Sequence, residues 1–216
     1  LVGSEMCIRD RYISTLTSGD VIPAKVTHLE PFGCFVDIGC GLPSLIPIDA
    51  ISVSRITHPN DRFFNGQDIY AVVKSCDEDR ICLSHKELLG TWEENAALFS
   101  TGETVGGIVR SIEPYGIFIE LAPNLAGLAE PRENVRVGQA ASVYIKALIP
   151  EKMKVKLIIV DVFENSVFPS KINYFITSGR LTKWVYSTNE CYKNICSEFV
   201  LSLIHISEPT RRVVIS

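Results

Sequence analysis

The stretch Glu30-Pro31-Phe32-Gly33-Cys34-Phe35-Val36-Asp37 returns, 83 positions on (113 against 30), as Glu113-Pro114-Tyr115-Gly116-Ile117-Phe118. The same offset pairs Gly19 with Gly102 and Val26 with Val109. Farther along, Gly66-Gln67 matches Gly138-Gln139 and Lys74 matches Lys146, now 72 apart (138 against 66), so the second copy is shorter between its third and fourth strands. Self-similarity in one order at nearly one spacing means two copies of a single structural unit.

Within copy one, Ile22, Ala24 and Val26 alternate with Pro23, Lys25 and Thr27, the period of a half-buried strand. Gly33 with residues 35–38, then 44–47, 69–74 and 80–84, supply four more short strands between Gly, Pro and Asp signals. Five strands in about 70 residues fit a small Greek-key barrel of the OB type, whose closure leaves little unpaired edge. Copy two repeats the pattern from Glu103 to Val160.

Between the copies, Leu88, Leu89, Trp92, Ala96 and Phe99 form an apolar helical stripe, and Thr91 followed by Glu94 has capping-box spacing, which predicts a helix starting afresh at Trp92 after Gly90. Trp92 is expected to bury the open end of a barrel. Beyond Val160, residues 174–177 and 181–186 flank Ser178-Gly179-Arg180 as a hairpin would. Ser187 and Glu190 repeat the capping spacing, with Tyr192, Ile195, Cys196 and Phe199 on one helical face. The expected fold is mainly β: two tandem five-stranded OB barrels, a short helical linker and a small hairpin-plus-helix appendage.

The two ends are expected not to belong to the protein. DNA that encodes residues 1–11, LVGSEMCIRDR, encodes on its complementary strand LSLIHISEPTR, which is residues 201–211, and that DNA resembles a sequencing-library transposase adapter. Residues 1–11 and 201–216 are therefore set aside as adapter-derived. The remaining domains are 12–18, the lead-in of a truncated chain; 19–86, the first barrel; 87–101, the linker; 102–160, the second, diverged barrel; and 161–200, a small α+β appendage. Without the ends, Lys+Arg falls from 21 to 17 and Asp+Glu from 25 to 22, moving the formal charge from −4 to −5.

With 46% apolar and 21% charged residues, the chain is neither disordered nor collagen-like. It contains no apolar run near the roughly 18 residues a membrane span needs. Seven cysteines at irregular spacing, without a C-x-x-C pair, support neither a disulfide scaffold nor a zinc site, and reduced cytosolic thiols are the default. His28, His58 and His85 are expected to face solvent or cap loops, and no acid, base or nucleophile constellation accompanies them. Walker, H-E-x-x-H and G-x-S-x-G patterns are absent, so no enzyme and no cofactor are expected.

Gly19-Asp20, Lys25-Val26, residues 30–37, Gly66-Gln67, Val72-Val73-Lys74, and Asp77 with Arg80-Ile81-Cys82-Leu83-Ser84 together resemble the S1 RNA-binding domain family. The likeness runs along nearly all of residues 19–86. Copy two keeps Gly102, residues 114–118 and Gly138, and resembles a diverged member, with Ile158 where Leu-Ser would close the motif. The resemblance implies an OB fold, cytoplasmic location, and binding of single-stranded RNA or mRNA in translation, with the small ribosomal subunit as a further partner and no membrane. Two departures bear on the site: Ser44-Leu45-Ile46-Pro47 stands where the family has Gly-Leu-x-His, and Glu130 holds the same place in copy two. Residues 203–208 imitate the missing motif, but they fall in the adapter and are not a third repeat.

Single-stranded nucleic acid presents π-faces that flat side chains on a barrel can stack. Phe32 and Phe35 are the expected pair in copy one, Tyr115 and Phe118 in copy two. Residues three apart on a regular strand face opposite ways, so a bulge or tight turn at Gly33 is needed to bring Phe32 and Phe35 out together. Barrel core is the alternative for both; Val36 and Ile38, claiming the interior parity, turn Phe35 outward. Lys25, Lys74 and Arg80, with the motif residue Asp77, complete the site expected in copy one, and Arg110, Lys146 and Lys154, beside Lys156, that in copy two. Charge is not strongly basic: residues 19–86 carry six Lys/Arg against nine Asp/Glu, and residues 102–160 seven against six. Copy one is thus expected to stack bases and copy two to capture phosphate. The acidic first copy also permits a protein-interaction or ribosome-docking module, and an accessory RNA-binding part of a larger enzyme is a third reading.

Overall fold

The strands of this computed structural model, which describes residues 11–39, 41, 44–76, 80–166 and 172–199, close two barrels of five strands each. The first runs β1 (Val21–Glu30), β2 (Gly33–Asp37), β3 (Ser44–Pro47), β4 (Asp68–Cys76) and β5 (Ile81–Ser84), in spatial order β1-β2-β3-β5-β4 with β1 paired to β4. A short helix, α1 (Trp92–Ala96), separates it from β6 (Thr104–Glu113), β7 (Gly116–Ala122), β8 (Leu125–Ala129), β9 (Gln139–Ile149) and β10 (Lys154–Ser166), which close in the matching order. In each barrel the third and fifth strands run parallel and the other pairs antiparallel. The expected pair of OB barrels is what the chain forms.

Inward positions recur at every second residue: Val26, Val36, Ile46, Val73 and Leu83 are buried in the first core, Val109, Ile119, Val143 and Leu157 in the second. Each such side chain contributes on the order of 1.5–3 kcal/mol of burial. The glycine that opens β2 and β7 is needed for close approach. A Cβ on Gly33 would lie 2.4 Å from the Ile46 carbonyl oxygen, and one on Gly116 would lie 2.6 Å from that of Ala129.

The linker is packed, as its stripe predicted. The Thr91 hydroxyl accepts from the Glu94 N–H at 3.2 Å while the Glu94 carboxylate accepts from the Thr91 N–H at 2.7 Å, starting α1 at Trp92. Trp92 and Ala96 enter the second core, and Leu89, one turn earlier, enters the first.

Two buried polar clusters are among the contacts that join the barrels. Arg62, between β3 and β4, holds Glu120 of β7 bidentately at 2.6 and 2.9 Å, and Arg110 of β6 binds the same carboxylate at 2.9 Å and Asp61 at 3.3 Å. Asn124, fully buried in the β7–β8 turn, donates to the carbonyls of Lys86 and Gly90, each at 2.8 Å, and accepts from the Val53 N–H at 3.0 Å.

His85 corrects an expectation. It does not face solvent, but is fully buried between the Ile51 carbonyl, 2.8 Å from Nδ1, and the Tyr174 hydroxyl, 3.1 Å from Nε2. Burial pushes its pKa down to about 4 against the opposing pull of the Ile51 carbonyl. Ser84, just before it, bonds Ala50 and Glu87 and ends β5 in a turn. The corresponding Ile158 has no hydroxyl to do so and is exposed, and β10 continues past Val160 to Ser166.

The appendage also differs from expectation. No hairpin forms around Gly179: its carbonyl accepts from the Val21 N–H at 3.0 Å, the Leu181 N–H donates to Gly19 at 2.8 Å, and Arg180 pairs with Asp20 at 2.7 Å. Gly19 is required there, since its φ is +93° and a Cβ would fall 1.9 Å from the Leu181 carbonyl oxygen. The helix expected after Ser187 is absent. Its Cys, Tyr, Asn and Ile residues are mediocre helix formers, and Cys196–Glu198 (β12) pairs instead with Lys183–Val185 (β11). The capping hydroxyl is diverted too, Ser187 accepting from the Ile195 N–H at 2.7 Å. The segment straps both barrels, with Ile172 in the first core and Trp184 and Tyr186 in the second. No helix among the described residues is long and apolar enough to cross a membrane.

Candidate nucleic-acid interface

Register places one row of outward residues around each barrel. In the first it passes from His28 to Phe35, Leu45, Cys82 and Ser75; in the second from Ser111 to Phe118, Leu128, Lys156 and Ala147. The two rows are equivalent, and each is flanked by a bulge in the barrel's first strand, at Thr27 or Arg110, and another in its fourth, at Lys74 or Lys146.

Phe35 stands half-buried on this row, because its neighbours Cys34 and Val36 point into the core. Phe32 joins it from the turn that precedes β2, held by the Ile48 N–H donating to its carbonyl at 2.9 Å, and is 55% exposed. The turn, then, brings both rings outward, while the bulge sits earlier, at Thr27. The rings meet edge to face with centroids 6.1 Å apart and planes at 89°. Tyr115 and Phe118 repeat this at 6.1 Å and 87°, with Tyr115 66% exposed. Both alternatives left by strand parity are thereby resolved: neither ring pair is barrel core.

The cations differ between copies. Lys25 is exposed but lies in register with Asp37 on one side and Asp68 on the other, so its field is locally offset. Lys74 projects at its bulge and Arg80 stands exposed before β5. Asp77 lies outside the described residues. His28 is paired with Glu30 at 2.7 Å. In the second barrel Lys146 occupies the equivalent bulge, and Lys154 and Lys156 alternate outward on β10 with buried Val155 and Leu157 between and beyond them. Glu130 is exposed directly after β8, where Pro47 closes β3 in the first barrel.

Arg110 does not belong to this face. A bulge re-aims the side chain it carries, and here the guanidinium is 10% exposed and committed to Glu120 and Asp61. It holds the barrels together instead of facing a phosphate.

Sequence reading missed three residues that the fold brings forward. Arg62 and Asn124 lie in turn-like stretches and become buried only because the other barrel covers them. Tyr192, placed by the sequence on one face of a helix, is 94% exposed in the lining of a groove that also contains Tyr115 and Phe118. Exposed rings in mutual contact, ringed by lysines, can stack unpaired bases and meet a phosphate chain.

Comparison with known proteins supplies names for what the geometry resembles. Residues 15–86 match the S1 RNA binding domain model. Small ribosomal subunit protein bS1 of Staphylococcus aureus (strain COL) is 33% identical over 163 residues, covering 69% of this chain and 41% of that protein. The bS1 homolog of Bacillus subtilis (strain 168) is 32% identical over 163 residues, 73% of this chain and 41% of that one. The chain spans about two fifths of the length of these curated relatives. Among solved structures, a multidomain protein with nucleic acid binding domains from Streptococcus pneumoniae aligns over 68% of this chain and 54% of its own, at 18% identity and a TM-score of 0.32.

Proposed function

Since residues 15–86 are an S1 RNA-binding domain and the chain is homologous to bacterial ribosomal protein bS1, we propose that it binds single-stranded RNA, mRNA above all, in translation. The small ribosomal subunit is the assembly on which that binding would take place, the cytoplasm its location, and the role non-enzymatic. What carries this reading is the aromatic pair that both barrels present in one geometry, edge to face at 6.1 Å. Stacking on such rings is worth about 1–3 kcal/mol per base and tolerates any sequence. The Phe35→Ala variant is therefore expected to weaken binding of a labelled oligouridylate by about five- to a hundredfold with little change in melting temperature. Unchanged affinity would leave the first barrel's face to a protein partner instead.

The barrels divide the work. Lys25 works against Asp37 and Asp68, whereas Lys154 and Lys156 stand beside Phe118 without an opposing ion pair among those described. Replacing both Lys154 and Lys156 by alanine should flatten the slope of log affinity against log salt by about 0.7 for each phosphate that is no longer neutralised. Lys25→Ala should change it less. Binding curves at a series of salt concentrations measure this, and parallel slopes for all three proteins would refute the division.

A further inference from the structure

The groove beside the second barrel's aromatic pair has a second wall that no barrel supplies. Tyr115, Phe118, Met153 and Lys154 of the barrel line it together with Tyr192 and Lys193 of the appendage. Its volume of about 540 Å³ lies within the roughly 300–1,000 Å³ of pockets that take small organic groups. The wall is anchored. Tyr186 and Ile195 close the base of its loop with a backbone hydrogen bond of 2.9 Å, Ser187 accepts from Ile195 at 2.7 Å, and the Thr188 hydroxyl donates to the Pro150 carbonyl of the β9–β10 turn at 2.8 Å. The hydroxyl of Tyr186 donates to the Asn124 carbonyl and seats the loop on the second barrel.

Tyr192 is 94% exposed on this tethered loop, a large ring held in water at a cost that packing does not return. Both parts bring a lysine to it, Lys154 from the barrel and Lys193 from the appendage. Aromatic rings and cations lining one groove are complementary to a stacked, anionic, unpaired strand. We infer that the appendage extends the second barrel's RNA surface, with Tyr192 as an additional stacking platform and Lys193 as a phosphate contact. The inference rests on the reading that Tyr115 and Phe118 bind RNA. A loop fixed at its base loses little further freedom on binding, which raises what a single ring can contribute.

The test uses the full chain and oligouridylates of about 4 and about 16 nucleotides, the limits of a site on one OB fold. Tyr192→Ala is expected to weaken the longer oligomer about five- to a hundredfold and leave the shorter one unchanged, while Tyr192→Phe, which keeps the ring, binds both like the parent. Lys193→Ala should flatten the salt dependence for the longer oligomer alone. If Tyr115→Ala with Phe118→Ala weakens RNA binding but Tyr192→Ala leaves the longer oligomer unaffected, the appendage is overturned as an RNA surface and the barrel reading stands. If the Tyr115 and Phe118 substitutions change neither oligomer, both fall together.

Discussion

Replacing Glu120 by alanine is expected to cost about 3–5 kcal/mol of stability, because it leaves the buried Arg62 guanidinium without a carboxylate and Arg110 with Asp61 alone. The Glu120 side chain is 4% exposed, Arg62 7% and Arg110 10%, so water cannot take its place. Burial alone would raise the Glu120 pKa, but the hydrogen bond and charge of Arg62, then those of Arg110, outweigh it and hold the carboxyl below its ordinary value. A group whose folded pKa is depressed stabilises fully above its unfolded value and loses that contribution as pH falls through the folded one. Thermal melts of the parent should therefore fall as pH drops below the ordinary glutamate range. Glu120→Gln, having no proton to gain, should start lower and lack that component. A melting temperature for Glu120→Ala equal to the parent's would show that the network contributes nothing net.

Asn124→Ala is expected to destabilise by about 1–3 kcal/mol or more. The buried carbonyl of Gly90 loses its partner, as do the half-buried carbonyl of Lys86 and N–H of Val53, and one buried unsatisfied group costs about 1–3 kcal/mol. Asn124→Asp keeps the shape but sets carboxylate oxygens against two carbonyls that need donors. That variant should be at least as unstable at neutral pH, and its deficit relative to the parent should shrink in acid as the new carboxyl takes up a proton it can donate. The opposite pH signatures of Glu120 and Asn124 substitutions separate these two contacts between the barrels. Denaturant midpoints at two pH values suffice, and a deficit for Asn124→Asp that is constant with pH would contradict the assigned donor roles.

The parts readable in the sequence were those set by local periodicity. Alternation along Ile22, Ala24 and Val26 gave the inward face of β1, the repeat gave a second barrel, and Thr91 with Glu94 gave the start of α1 to the residue. Outward parity of Phe35 followed from Val36 and Ile38 lying in the core. Glu120 shows why the rest was hidden. It occupies the position of Asp37 one repeat later, which is exposed in the first barrel, and is buried only because the other barrel docks on it. Period-two reasoning carries no information about a neighbour. Arg110, counted only as a cation near Tyr115 and Phe118, sits at a bulge and turns to Glu120 instead. His85 and the appendage were misjudged together, since Tyr174, far along the chain, is what buries the imidazole, and β11 is what claims residues that local spacing assigned to a helix.

That strap has a consequence for how the chain is made. His85 and its partner Tyr174 are separated by 89 residues, and Asp20 and Arg180 by 160. Translation adds about 5–20 residues per second, so the first barrel emerges roughly 4–18 s before the residues that cover its flank. During that interval its strands can pair, but Tyr70 and His85 have no lid, and contacts of such long sequence separation form slowly even when both ends are free. Of the two barrels, the one translated first is finished late, and its waiting surface is the one on which a nascent-chain chaperone or a second copy would compete with the strap of residues 172–199.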